Sequence, residues 1–194
     1  MDNVLMKSLT VFLVLLIPIL SQAQIHDPRA INADPFTASV AIAPKLSNLG
    51  DHQFPVTTNS AQSQFFFDQG YKLTLGFNHS EALRSFKEAV RLDQNNAMAY
   101  WGIALVLGPN LNLPMQAAVV KPAWEAIQKA LALKDHVSEK EAAYIEALAV
   151  RYSADESADR AVLNTAYVVA MANLVKAYPR DLDAATLYAS AIMN

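Results

Sequence analysis

The stretch Ser63–Gln94, SQFFFDQGYKLTLGFNHSEALRSFKEAVRLDQ, decides the fold. Phe66, Gly70 and Leu73 stand four and three apart, and so do Ala82, Phe86 and Ala89 after the break at Gly76-Phe77-Asn78. Such spacing places each trio on one face of an α-helix. A large side chain on one helix meets a small one on its neighbour. The two backbones can then approach to the short end of the usual ~8–10 Å. The same sizes return along the chain. Tyr100, Ala104 and Leu107 stand 34 residues after the first trio, Ala123, Ile127 and Ala130 repeat the second, and Ala185, Ala189 and Ile192 repeat the first once more. A hairpin of two such helices leaves an apolar face uncovered, so the next hairpin must stack on it.

Outward from this stretch, the pattern predicts helices over Gln62–Leu75, Ser80–Leu92, Ala97–Leu107, Met115–Leu133, Ser138–Tyr152, Ser157–Tyr178 and Leu182–Met193. Ser138 with Glu141, and Asn78 with Glu81, have capping-box spacing. Pro122 falls inside the fourth helix, where it either kinks the helix or starts a second one. No strand signal competes. Residues 24–60 contain Pro28, Pro35, Pro44 and Pro55 and sustain neither periodicity. They predict an irregular, partly disordered arm, in which short apolar pieces such as Ser39–Ala43 can pack on a neighbour. At the start, Leu9–Leu20 is a 12-residue apolar run after Lys7 and before Ser21-Gln22-Ala23. A membrane span needs roughly 20 such residues. The pattern is that of a signal peptide over residues 1–23, cleaved after Ala23, with a periplasmic or secreted destination.

The helical unit resembles the tetratricopeptide repeat family, whose period is about 34 residues. In the best-matching stretch the aromatic, Gly70, Ala82, Phe86 and Ala89 fall in family positions. Gln69 stands where the family usually has leucine, and Gln94 where it usually has proline. The resemblance implies an all-α, tetratricopeptide-like α-solenoid over 61–194, with units near 63–96, 97–135 and 138–181 and an unpaired helix from 182 to 194. The second unit carries extra residues around GPNLNLPMQ. The third admits two registers for its first helix, one using Ala143, Ala147 and Val150, the other Ile145, Ala149 and Tyr152. The run GFNHSEALRSFKEA…NNAMAYWGIALVLGPNLNLP is also similar to a group of exported bacterial repeat proteins, a likeness that brings no activity with it.

Composition narrows the chemistry. A net charge of −3 leaves no basic footprint for nucleic acid. The absence of cysteine excludes disulfides, a thiol nucleophile and cysteine-held metal clusters. Five glycines form no phosphate-cradling loop, and His26, His52, His79 and His136 show no metal-binding spacing. Paired carboxylates such as Glu139 and Glu141 sit at helix starts, where the dipole explains them. No cofactor, metal or catalytic residue is expected.

In the resembling family the concave side grips partner peptides. Its stripe here is Phe67, Tyr71 and Thr74 in the first unit, and Trp101, Leu105 and Gly108 in the second. Aromatics in a groove are usual hot-spot chemistry. The alternative is that the arm or the next repeat buries them. Asn110 and Asn112 lie in the extended loop, where they serve either recognition or turn closure. The expected function is therefore a non-catalytic scaffold for a partner peptide or helix, with Phe67, Tyr71, Trp101, Leu105, Asn110 and Asn112 as candidate contacts. The alternatives are the repeat portion of a longer exported enzyme or accessory protein, and self-association through a last helix, LDAATLYASAIM, with little charge.

Overall fold

The computed structural model describes residues 32–194, and the leader run lies outside them. The described residues are all-α, with no named strand. Seven helices follow the arm: α1 Ala61–Leu75, α2 His79–Leu92, α3 Ala97–Leu107, α4 Ala117–Leu133, α5 Glu139–Ala149, α6 Arg160–Ala177 and α7 Leu182–Met193. A single 3₁₀ turn, Lys134–His136, follows α4. Each helix packs on the next, and α1 also meets α3, as α3 meets α5.

Local chemistry sets the boundaries. Ser60, Asn78, Asn96, Ser138, Asp159 and Asp181 each accept a backbone N–H of the helix they precede. The Ser138–Glu141 capping box forms in both directions. The Asn78–Glu81 box forms only in half. The Asn78 N–H already donates to Leu73 O at 2.8 Å, where Phe77 at φ 58° closes the end of α1, and the Glu81 carboxylate turns to Arg84 at 3.0 Å. The sixth helix begins at Arg160 rather than Ser157, because Asp159 caps it while Ser157 is held in a turn by Asp155. The fifth ends at Ala149, where the amides of Arg151 and Tyr152 turn to the carbonyls three residues back. Pro122 lies within α4 without ending it.

Phe86, fully buried, is the clearest packing knob. A Cβ at Gly70 of α1 would meet its ring at 2.9 Å, and one at Gly102 of α3 would meet it at 2.4 Å. Two glycines thus let α1 and α3 close on the same phenyl ring of α2. Gly70 was legible as such a position, whereas Gly102 was not. The last trio behaves differently from the sequence pattern. Helix α7 buries Ala184, Leu187 and Ala191, and leaves Ala185, Ala189 and Ile192 open to solvent. No helix among the described residues is long and apolar enough to cross a membrane.

Candidate functional site

An irregular segment has no ladder to satisfy its backbone, so any of it that is buried must find side-chain partners. The arm does this along its length. Ile42 and Leu46 donate their N–H groups to Glu88 Oε2 and Gln69 Oε1, each at 2.8 Å. Phe54 N–H reaches Asp68 Oδ1 at 2.9 Å, Val56 N–H reaches Gln64 Oε1 at 2.9 Å, and Thr57 N–H reaches Glu141 Oε1 at 2.6 Å. Carbonyls are met as well, with Gln69 Nε2 donating to Pro44 O, Gln64 Nε2 to Phe54 O and Arg84 Nε to Ile42 O, all at 3.0 Å. The departure at Gln69 from the repeat pattern thereby acquires a reason: leucine could neither accept from Leu46 nor donate to Pro44. Glu88, Glu141 and Asp68 are all buried, and burial raises the Asp68 carboxyl above its usual range although the Phe54 amide pulls the other way.

The arm ends in an aromatic socket. Phe54, 2% exposed, sits with its centroid 5.1 Å from Tyr71, 5.3 Å from Tyr144, 5.7 Å from Phe67 and 6.3 Å from Trp101. The first three contacts are edge-on, the favoured geometry for aromatic quadrupoles. Trp101 donates its indole N–H to Tyr144 O at 3.1 Å, fixing α3 against α5. Lys140 Nζ lies 5.6 Å from the Phe54 centroid. His52 Nε2 reaches Asp183 Oδ1 at 3.1 Å, so the same arm also touches α7. The buried hydroxyls of Tyr71 and Tyr144 face the carboxylates of Asp183 and Asp181. Desolvation pushes both phenols far above their ordinary value, and the charges of Asp183 and Asp181 add to it.

The stripe read from the sequence is therefore brought together, but it is covered. Phe67 and Tyr71 are fully buried, Trp101 is 1% exposed and Leu105 is 9% exposed. As an open groove, the aromatic stripe is corrected: the chain's own Phe54 fills it. Asn110 and Asn112 close a turn. Asn110 Oδ1 accepts from Asn112 N–H at 3.0 Å, and Asn110 and Leu113 exchange backbone bonds at 2.9 and 3.0 Å. Tyr144, Asp68, Gln64 and Phe54 were not singled out in the sequence, and Glu141 was read only as a capping and helix-dipole residue. Tyr144 follows in the Ala143, Ala147, Val150 register one residue on, as Phe67 follows Phe66.

Beside the socket lies a cavity of about 350 Å³, bounded by the C-terminal ends of α1 and α3, the segment after α5, and α7. Among the described residues no cluster of three or more histidine and carboxylate groups is placed to hold a metal. No family model, curated protein or solved structure matches the chain.

Proposed function

We propose that this chain is a non-catalytic recognition scaffold of tetratricopeptide-repeat type, which binds an extended segment across the face made by its alternate helices. The repeat assignment is supported by the 34-residue recurrence and by the serial packing of helices, in which α1 also touches α3 and α3 also touches α5. One observation carries the functional reading. The chain's own residues 54–57 lie on that face as a bound peptide would, with backbone groups held by side chains of α1 and α5 and Phe54 as a single aromatic anchor. A partner of the same character, an extended segment with one aromatic anchor, takes the place of the arm. Tethering gives the arm a local concentration on the order of millimolar, so a partner in trans must outcompete it. The leader-like run Leu9–Leu20 supports export, for which the N-terminal sequence of the secreted protein, expected to begin at Gln24, is the check.

The test is fluorescence anisotropy with a labelled synthetic peptide spanning residues 50–60, titrated into the full chain. Phe54→Ala, whose own anchor is gone, should bind the peptide at least tenfold tighter than the parent. Adding Trp101→Ala should remove that binding. A Phe54→Ala protein with normal helicity and no affinity for the peptide would refute the scaffold.

A further inference from the structure

We infer that the cavity beside the aromatic socket is a binding site for a small carboxylate with an apolar body, whose charge is received by Arg151. Arg151 is 3% exposed and lines the cavity, and it takes part in no ion pair among the described residues. Its Nε donates to Asn164 Oδ1 at 3.3 Å, its guanidinium lies 4.7 Å from the Tyr167 centroid, and Nη2 is buried with no partner at all. An arginine cannot shed its proton to escape burial. A buried charge without a counter-charge is costly, and native proteins pair it. The nearby groups do not supply the pairing. No acidic residue lines the cavity. The C-terminal end of α3 lies close, since a Cβ at Gly108 would sit 3.5 Å from Nη1, but a helix end carries only roughly half a negative charge. A second cation reinforces the positive field, because Arg160 Nη1 donates to the Arg151 carbonyl at 2.6 Å.

The rest of the cavity selects what accompanies the anion. Leu75, Phe77, Leu105 and Leu187 make most of the wall apolar, while Thr74 and Ser190 add hydroxyls. His79 also lines it, and its two buried ring nitrogens have no hydrogen-bond partner among the described residues. A volume of about 350 Å³ lies within the range of small-molecule sites. An anion with no tail would leave this wall unfilled, and a neutral tail would leave the Arg151 guanidinium without a counter-charge. Only a molecule with both parts satisfies both. The inference does not rest on the scaffold reading, because the arm and its socket are not needed for it.

The probes are octanoate, its neutral analogue octanamide, and inorganic phosphate, each titrated calorimetrically into the full chain. Octanoate should bind at least tenfold tighter than either of the others. Arg151→Met should bring octanoate down to the octanamide level, and Ser190→Trp, which fills the cavity from α7, should abolish binding of both. Equal binding of octanoate and octanamide, tighter binding of phosphate, undiminished octanoate binding by a folded Arg151→Met protein, or no octanoate binding by the parent overturns the inference. The comparison of probes on the parent decides the matter even where Arg151→Met fails to fold.

Discussion

Replacing Phe54 by alanine separates an arm that is docked from an arm that is part of the core. The side chain is 2% exposed and touches four rings, so its removal belongs with fully buried Phe→Ala changes, which cost about 3–5 kcal/mol. The helices keep their own contacts. Phe86 remains between Gly70 and Gly102, and Trp101 remains bonded to Tyr144 O. The loss should therefore fall mainly on the docking of residues 42–58. A cost of about 3 kcal/mol corresponds to roughly a 100-fold rise in the open population. Hydrogen exchange followed by mass spectrometry reads this directly. The amides of Ile42, Leu46, Val56 and Thr57 should lose about two orders of magnitude of protection, while amides within α2 and α3 change little. Two results stand against a displaceable arm. Unchanged protection of those amides would mean that Phe54 does not anchor it. Loss of protection in the arm and in α2 and α3 together would mean that arm and helices unfold as one unit, leaving no groove for a partner to enter.

Two further outcomes are expected. Gly102→Ala places a methyl group where only 2.4 Å separates it from the Phe86 ring, so overpacking of about 1–3 kcal/mol should lower the thermal midpoint by several degrees in circular-dichroism melts. Burial holds the His79 imidazole below its ordinary 6.5, so as pH falls past about 6.5 the unfolded chain takes up a proton that the folded chain refuses. The stability linked to His79 is thus fully present above that pH and is lost as pH falls toward the folded value. Melts between about pH 7.5 and 5 should show the decline in the parent, and a shallower one in His79→Gln.

Much of the helical layout was legible because it is written in near-neighbour spacing. Ala97–Leu107 agrees with the structure at both ends, since Asn96 is a strong cap and Gly108-Pro109 halts the apolar run, and the start of Leu182–Met193 agrees because Asp181 caps it. The start of α6 was misplaced because two capping groups, Ser157 and Asp159, compete two residues apart, and the turn at Asp155 decides between them. Phe67 and Trp101, set 34 residues apart in the sequence, lie with their ring centroids 6.5 Å apart. Tyr144 escaped because the extension around GPNLNLPMQ breaks the step before α5, so no fixed increment reaches it. The arm was readable as irregular, and its docking on the aromatic stripe only as one of two alternatives, without the residues that hold it. Its bonds join residues such as Thr57 and Glu141, 84 positions apart, which periodicity cannot connect.

Side-chain size and spacing were enough to specify which segments become helices and that each must lean on the next, because a helical face is a property of residues three and four apart. Whether the aromatic face stays open, which carboxylates hold the arm, and that Arg151 lies buried without an acid depend on segments that meet only after the helices have packed. Burial and charge pairing are sums over spatial neighbours, and for these residues the neighbours come from distant parts of the chain.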